Sequence, residues 1–396
     1  MDRLSLAQRV GRIRPSATLA VTARAAELRA AGKDIIGLGA GEPDFDTPEH
    51  IKAAAILAIR QGQTKYTAVA GTPALKQAII NKFQRENGLA YAADQILVSC
   101  GGKQSFFNLA QALLDPGDEV IIPAPYWVSY PDMVLLADAQ PVTVYAGIEQ
   151  NFKITPQQLA DAISERTRLF VINSPSNPTG MAYSRAELEA LGEVLRGHPQ
   201  ILIATDDMYE HIRWSNEPFV NIVNACPDLY ARSIVLNGVS KAYAMTGWRI
   251  GYAGGPADLI KAMTKIQSQS TSNPASISQA AAQAALDGDQ SCVRQMRDAF
   301  KTRHDFVVGA LNRLPGVRCL PGDGTFYCLP DFQDVIDRRP DITSDVELAE
   351  SLLGEAGVAL VPGSAFGAPG CLRLSFATSS EILADALDRL KRFFSS

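Results

Sequence analysis

Short apolar runs recur along this chain, and each is followed by a turn and then by a helical pattern of apolar residues. This alternation is typical of βαβ units, in which parallel strands form one sheet and helices cover its faces. It therefore predicts an α/β fold with a mostly parallel central sheet. The predicted strands are residues 95–99, 119–123, 168–172, 201–205, 233–237 and 251–255, and the clearest predicted helices are residues 103–114, 184–196 and 294–314.

The pattern changes towards the C-terminus, where short strands separated by turns precede an amphipathic segment at 381–394. These features predict a second, smaller α+β domain. We expect the N-terminal segment 1–50 to join this small domain, formed mainly by residues 321–396, and residues 51–320 to form the large domain. A chain of 396 residues is long enough for such a division, because a single hydrophobic core rarely grows beyond about 250–300 residues.

Charge and cysteine content exclude several classes of function. The 37 basic and 42 acidic residues give a net charge of −5 and are interspersed, which argues against a nucleic-acid partner. The six cysteines form no CxxC pair and the four histidines do not cluster in sequence, so neither a disulfide framework nor a metal site is predicted. The chain has no apolar run near the ~18 residues that span a membrane. We therefore expect a cytoplasmic protein with small-molecule partners.

Glycine-rich and polar segments follow five of the predicted strands. In open α/β sheets, ligands bind beyond the carboxyl ends of the strands. The five segments are therefore predicted to meet at one rim of the sheet. They are CGGK after strand 95–99, APYW after 119–123, NSPSNPTG after 168–172, DDMYEH after 201–205 and GVSK after 233–237.

Lys241 is unusual because its neighbours in GVSKAYA are small and apolar rather than charged. Small neighbours let a cofactor approach closely, and burial or a nearby cation lowers the pKa of an amine towards the neutral form that Schiff-base chemistry needs. Arg249, eight residues later, is a candidate bidentate partner of a phosphate. The motif alone supports only a hypothesis of an imine-forming lysine.

The other strand ends supply the groups that one particular cofactor needs. Asp206 is a candidate anion for a protonated ring nitrogen, because a neighbouring negative charge raises the pKa of a cation; a helix cap or solvated loop carboxylate is the alternative interpretation. Tyr209 and Asn177 are candidates for contacts with a ring hydroxyl. Together with Lys241 they indicate pyridoxal 5′-phosphate. The remaining candidate cofactor contacts are Gly101, Gly102, Ser240 and Arg249 at the phosphate, and Trp127 stacked on the ring.

The motifs SPSNPTG, TDDMYEH, SKAYAMTGWRIGY, GEPDFDTP and LRLSFATS resemble those of the class I aminotransferases, which are fold type I pyridoxal-phosphate enzymes. GGKQ and PYWVSYP are similar to segments of the bacterial aspartate aminotransferase subgroup. The resemblance extends through essentially the whole chain. It implies a homodimer with shared active sites and a ping-pong transamination of L-aspartate and 2-oxoglutarate to oxaloacetate and L-glutamate.

The resemblance also implies residue roles. Lys241 matches the Schiff-base lysine and proton carrier, and Asp206 matches the partner of the pyridine nitrogen. Arg373 matches the arginine that binds the substrate α-carboxylate. The other matches are Asn177 and Tyr209 at the ring oxygen, Arg249 at the phosphate, Gly39 and Trp127 at the substrate, and Tyr66, which reaches the phosphate of the neighbouring subunit. One departure is Gly238, where many relatives carry a serine of the phosphate site; backbone N–H groups at 101–103 are candidates to compensate.

Lys103 is the candidate cation for the side-chain carboxylate of aspartate, with a solvated first-turn lysine as the alternative. The segment RIRPSATLAV resembles members that also transaminate prephenate, and Arg12, Thr18 and Lys103 are the residues associated with that activity.

Three other functions stay open from the sequence. The first is a different pyridoxal-phosphate reaction, namely an aromatic, alanine or kynurenine-type transamination or a β-lyase reaction. The second is a non-catalytic ligand sensor. The third is a nicotinamide-dependent dehydrogenase, which is disfavoured because the glycines of GLGAGEP alternate and no βα unit follows them in the register of a dinucleotide fingerprint.

Overall fold

The computed structural model describes residues 4–215 and 217–395. Its largest sheet has seven strands in the order β2-β8-β7-β6-β5-β3-β4, and β8 alone runs antiparallel to its neighbours. The predicted mostly parallel sheet is thus confirmed, and its six predicted strands shift by no more than one residue at either end. The strands are β2 (Ile96–Ser99), β3 (Glu119–Ala124), β4 (Gln140–Tyr145), β5 (Thr167–Asn173), β6 (Leu202–Asp206), β7 (Ser233–Gly238) and β8 (Gly251–Gly254).

Helices cover both faces of this sheet because its strands are apolar on both sides. Ile121 and Phe170 belong to one buried cluster, whereas their chain neighbours Ile122 and Val171 belong to another. Successive side chains of a strand point to opposite faces, so the two clusters lie on either side of the sheet. The helices of this region are α2 (Glu49–Arg60), α3 (Pro73–Lys82), α4 (Gly102–Leu113), α5 (Ser129–Leu136), α6 (Pro156–Ala162), α7 (Arg185–Arg196), α8 (Ile222–Ala225), α9 (Ala257–Ser268) and α10 (Ser276–Asp287).

A further hydrophobic cluster joins the two ends of the chain. Ile36 and Leu38 pack in it with Val358 and Leu374, and β1 pairs in parallel with β10. Phe300 also belongs to this cluster, although it precedes residue 320. The domain boundaries remain a prediction. The elements here are α1 (Ala17–Ala30), β1 (Ile36–Gly37), α11 (Ser291–Leu311), β9 (Tyr327–Cys328), α12 (Gln333–Arg338), α13 (Asp345–Ser351), β10 (Val358–Ala359), β11 (Val361–Pro362), β12 (Leu372–Ser375) and α14 (Ser380–Ser395).

The segment before α1 lies against the large sheet's helices rather than in the C-terminal cluster. Arg12 forms an ion pair with Asp138, and the backbone N–H of Arg14 donates to Asp132 of α5 at 3.4 Å. Among the described residues, no helix combines the length and apolar composition that crossing a membrane requires.

A largely buried charged network includes Glu210 and His211, the last two residues of the segment DDMYEH. The ammonium of Lys82 contacts Glu210 and also donates to Asn87 at 2.8 Å, while His211 lies 2.8 Å from Glu86. Glu86, Glu210 and His211 are close enough together to hold a metal ion. Because Lys82 already pairs with these carboxylates, we interpret the cluster as a structural salt-bridge network.

Candidate active site

A cavity of about 440 Å³ opens at the carboxyl ends of the central strands. Segments that are distant in sequence line it: the start of α1, the loop after β1, the ends of β5, β6 and β7, and both β9 and β12. The structure therefore brings together most of the residues singled out from the sequence. Those that line the cavity are Thr18, Gly102, Lys103, Trp127, Asn177, Asp206, Tyr209, Ser240, Lys241, Arg249 and Arg373.

Lys241 lies in the turn that follows β7, and its amine donates a hydrogen bond to the carbonyl oxygen of Gly41. Burial lowers its pKa to about 8, because an ammonium loses solvation in the cavity. The positive charge of Arg373 acts in the same direction, whereas Glu42 opposes it. A fraction of the amine is consequently neutral near neutral pH, as a nucleophile or proton carrier requires.

This lowered pKa predicts selective chemical modification. Because only the neutral amine reacts, reductive methylation of Lys241 should rise with pH around a midpoint of about 8. Lys391, which is exposed and lies outside the cavity, is the reference residue. Peptide mass spectrometry of the cofactor-free protein across pH measures both residues. Equal midpoints would contradict the depressed pKa.

Asp206 is the last residue of β6 and lines the cavity beside Lys241. Its carboxylate accepts hydrogen bonds from the hydroxyl of Tyr130 and from the backbone N–H of Met208, the latter at 3.2 Å. Burial raises the pKa of Asp206, and these two hydrogen bonds and the charge of Lys241 lower it. The arrangement is a buried carboxylate supported by donors at the cavity wall.

Asn173 and Asn177 connect β5 to the cavity. The Asn173 amide donates to the backbone oxygen of Asp206 at 2.8 Å, and its side-chain oxygen accepts from the backbone N–H of Asn177 at 2.8 Å. Tyr209 is buried, and its hydroxyl donates to that of Tyr327 at 3.3 Å. These contacts hold the backbone of Asn177 and the phenol of Tyr209 at the cavity lining.

One part of the cavity lining is suited to hold an anion. Helix α4 begins at Gly102, and its positive N-terminus lines the cavity together with Arg249 and Ser240. Gly101 has φ +89°, and a Cβ there would collide with the Arg249 guanidinium. Glycine is therefore required for the arginine to lie against the helix start. The cationic side chain and the backbone N–H groups at the start of α4 together suit a phosphate. Of the N–H groups at 101–103 expected to compensate for Gly238, that of Gly101 instead donates to the carbonyl oxygen of Ser99 at 2.8 Å.

Gly238, where a serine is expected from the relatives, has little room for a side chain. A Cβ there would lie 3.1 Å from the Cα of Gly251, from the carbonyl oxygen of Ile250 and from the terminal methyl of Met208. Because two of these neighbours are backbone atoms, they yield less readily than a side chain would. The absence of a serine hydroxyl at position 238 thus coincides with close packing of β7 against β8.

Arg373 comes from β12 and is buried in the cavity lining. Its two terminal nitrogens donate to the Asn177 side-chain oxygen at 2.9 Å and to the Gly39 carbonyl at 2.8 Å, while its Nε has no hydrogen-bond partner among the described residues. The guanidinium lies 4.3 Å from the ring centre of Tyr327 and 4.9 Å from that of Phe366. Stacking between two rings holds the planar cation in one orientation.

Lys103 marks the mouth of the cavity. Its ammonium lies 5.2 Å from the ring centre of Trp127. Partial burial lowers its pKa, and the nearby Arg249 acts in the same direction. The structure therefore places this lysine at the cavity rather than on a fully solvated helix face.

Four other predicted residues lie apart from the cavity lining, and one of them is Gly101, which directly precedes α4. Gly39 contributes only its carbonyl, which accepts from Arg373. Arg12 is paired with Asp138 outside the lining, and Tyr66 is 92% exposed on the surface of the single chain.

Several cavity residues were not predicted from the sequence. Tyr327 belongs to a two-residue strand, and its only sequence signal was the segment GTFYCLP. Asn173 directly precedes the SPSNPTG motif, so its position at a strand end was a usable signal. The others are Ser16, Leu19, Thr22, Ala40, Gly41, Glu42, Val128, Ser129, Met208 and Thr246.

Comparison with known proteins identifies the family. The family profile described as aminotransferase class I and II matches residues 33–390. The chain belongs to this family. The class I resemblance and the fold type I architecture expected from the sequence are thereby confirmed, and the enzyme class is that of an aminotransferase.

This aminotransferase is similar over almost its whole length to several relatives. It is 62% identical to the aspartate/prephenate aminotransferase of Nitrosomonas europaea, with 99% of this chain and 100% of that protein covered. The solved aspartate aminotransferase of Rhizobium meliloti superposes with a TM-score of 0.95 at 50% identity, covering 98% of each chain. The aspartate aminotransferase of Thermus thermophilus solved with maleate superposes with a TM-score of 0.92 at 45% identity, covering 98% of this chain and 100% of that chain.

Proposed function

We propose that this aminotransferase uses pyridoxal 5′-phosphate to transfer the amino group of L-aspartate to 2-oxoglutarate. The observation that carries the proposal is the placement of Lys241, with its depressed pKa, in one cavity between Asp206 and the buried Arg373. Relatives similar over their full length carry aspartate aminotransferase in their names, which agrees with this geometry.

The donors around the cavity fit this cofactor. The start of α4 with Arg249 and Ser240 would hold the phosphate, Asp206 the pyridine nitrogen, and Asn177 with Tyr209 the ring oxygen. Trp127 would cover a ring face. When bound through Lys241, the cofactor supplies an electron sink for the bond that breaks at the substrate Cα.

The chain's own residues position the substrate and move its proton. Arg373 is a planar fork of donors and would bind the α-carboxylate of the amino acid. The amine of Lys241 would then take the proton from Cα as a general base and return it as a general acid. Asp206, as an anion, would keep the ring nitrogen protonated.

A second carboxylate on the substrate would meet Lys103 at the cavity mouth. This assignment selects dicarboxylates and is supported by the relative solved with maleate, itself a dicarboxylate. We also propose prephenate as an amino acceptor, since relatives named aspartate/prephenate aminotransferase match the whole chain. Thr18 lines the cavity and is the candidate contact, whereas Arg12 would have to leave Asp138 to contribute.

A donor panel tests the substrate assignment. The cofactor-loaded protein should convert aspartate and glutamate with higher kcat/KM than alanine, phenylalanine or kynurenine. Lys103→Ser should reduce kcat/KM for aspartate by about 10- to 100-fold through the lost charge-assisted contact and leave alanine nearly unchanged. Steady-state rates for both proteins measure this. Highest activity with an aromatic or monocarboxylic donor, or release of pyruvate from a β-substituted donor, would favour the other reactions instead.

We further propose that the protein is a homodimer in which Tyr66 reaches the partner's phosphate site. Tyr66 is 92% exposed in the single chain, and Ile56, Leu57 and Ile59 of α2 expose between 46% and 53% of their surface. An exposed apolar surface of this kind is typical of a protein interface.

Mixed dimers test the shared site. Lys241→Ala and Tyr66→Ala chains, each impaired alone, should form mixed dimers with one intact site, so activity should rise after they are dissociated and reassociated together. Turnover of the mixture relative to each parent, with sedimentation to confirm dimers, measures this. Failure to complement in confirmed mixed dimers would contradict a site shared between subunits.

A further inference from the structure

Tyr130 stands behind Asp206 rather than in the cavity. It lies in the first turn of α5, its ring is 2% exposed, and it is not among the cavity-lining residues. Its hydroxyl donates a hydrogen bond to Oδ2 of Asp206. The phenol therefore contacts the carboxylate from the protein interior, while Asp206 itself faces the cavity.

Aromatic contacts fix the orientation of the Tyr130 ring. It meets Trp127 edge to face, with ring centres 5.2 Å apart and an interplanar angle of 89°. Phe106 of α4 packs against it at 4.8 Å. Because both neighbours belong to elements that also line the cavity, the hydroxyl is held towards Asp206 by the same packing that shapes the site.

The charges around this pair favour a neutral phenol that donates to an anion. Tyr130, Lys241, Asp207 and Tyr209 are the titratable groups that interact with Asp206 or with its phenol partner. Burial and the charge of Asp206 raise the pKa of Tyr130 well above its ordinary value, so its proton stays on the phenol. The hydrogen bond in turn favours the ionised form of Asp206, against the effect of burial.

We propose that Tyr130 is a positioning residue that fixes the Asp206 carboxylate towards the pyridine nitrogen of the cofactor and keeps that carboxylate ionised. The inference rests on the proposed function, because it requires Asp206 to face that nitrogen. The proposal gives a role to Tyr130, the second tyrosine of PYWVSYP. Neither the cavity lining nor the resemblance to the family had supplied one.

Tyr130→Phe tests the proposal, since it removes one hydroxyl and keeps the ring. Without this hydrogen bond the Asp206 carboxylate is less firmly oriented and its ionised form is less stable. The protonated form of the cofactor's ring nitrogen is then less stable too. The pH midpoint of the bound cofactor's absorbance change should therefore rise by about half a unit, because a nearby cation lowers the pKa of the lysine-linked nitrogen. Turnover should fall about tenfold with KM for aspartate changed less than about twofold, as expected when one hydrogen bond acting on the reacting centre is lost.

Three comparisons separate positioning from a general loss of structure. Tyr183→Phe is the matched control, because that hydroxyl accepts from the backbone N–H of Ile154 at 3.0 Å and does not line the cavity; its midpoint should equal that of the native protein. A ring-fluorinated tyrosine at position 130 donates more strongly, so its midpoint should shift in the opposite direction to that of Tyr130→Phe. In an Asp206→Asn background, Tyr130→Phe should add no further shift.

The outcomes distinguish this inference from the proposed function. If the native protein binds the cofactor with a pH-dependent absorbance and Tyr130→Phe leaves the midpoint and kcat unchanged, the positioning role is wrong and the proposed function stands. If Tyr130→Phe folds poorly, the fluorinated protein decides through the direction of its shift, and an unchanged midpoint overturns the inference. If the native protein binds no cofactor, both proposals fail.

Discussion

Lys241→Ala is expected to lower turnover by more than about 10⁴-fold, because it removes both the covalent partner and the general base. The loss should appear in kcat with every amino donor, since no substrate contact supplies an equivalent amine. The cofactor should still bind through Arg249, Ser240 and Asp206, although without a covalent link. Steady-state and single-turnover rates measure the loss, and the absorbance of the bound cofactor reports the missing link.

The matched control is Lys391→Ala on α14, an exposed lysine outside the cavity, which should keep native turnover. Sedimentation and thermal melting of both variants verify that they remain folded. Turnover of Lys241→Ala within tenfold of the native value would contradict the assignment of the base and covalent partner to this residue.

Arg373→Ala is expected to lower kcat/KM for aspartate and for 2-oxoglutarate by about 10³-fold, since truncating a buried charged hydrogen-bonding partner costs about 2–5 kcal/mol. Both substrates should be affected, because each carries the same α-carboxylate. Arg373→Lys retains the positive charge but lacks the planar guanidinium that lies between Tyr327 and Phe366. It should therefore recover only part of the lost kcat/KM.

Kinetics with both substrates and both variants measure this effect. Arg318→Ala provides the control, because Arg318 pairs on the surface with Glu149 and Asp331, away from the cavity. A loss smaller than threefold in Arg373→Ala, or a loss confined to the dicarboxylic donors, would remove Arg373 as the general α-carboxylate partner.

The sequence predicted the sheet and most of the cavity because both depend on local patterns. Buried strands such as β5 and β7 consist of continuous apolar runs, and each ends where polar or glycine-rich residues begin. Parallel strands bring these ends to one edge, so the sequence predicts that Asp206 and Lys241 lie together.

Features that depend on distant contacts were not predicted. Strand β4 carries a mixture of partly buried and exposed residues at the sheet edge, so it lacks the apolar run of its neighbours. Tyr130 resembles any core tyrosine in sequence, and only packing reveals its contact with Asp206. The tight approach of β7 to β8 at Gly238 is likewise a property of the paired strands, not of either segment alone.

The most direct test of the central claim is to locate the lysine that holds the cofactor. The protein loaded with pyridoxal 5′-phosphate is treated with borohydride, which makes the lysine-linked group permanent, and its peptides are analysed by mass spectrometry with and without prior addition of aspartate. We predict one modified peptide containing Lys241, and loss of that modification after aspartate has converted the cofactor to its amine form. Modification at Lys103 or elsewhere with Lys241 unmodified, or a Lys241 adduct that aspartate leaves unchanged, would contradict the account.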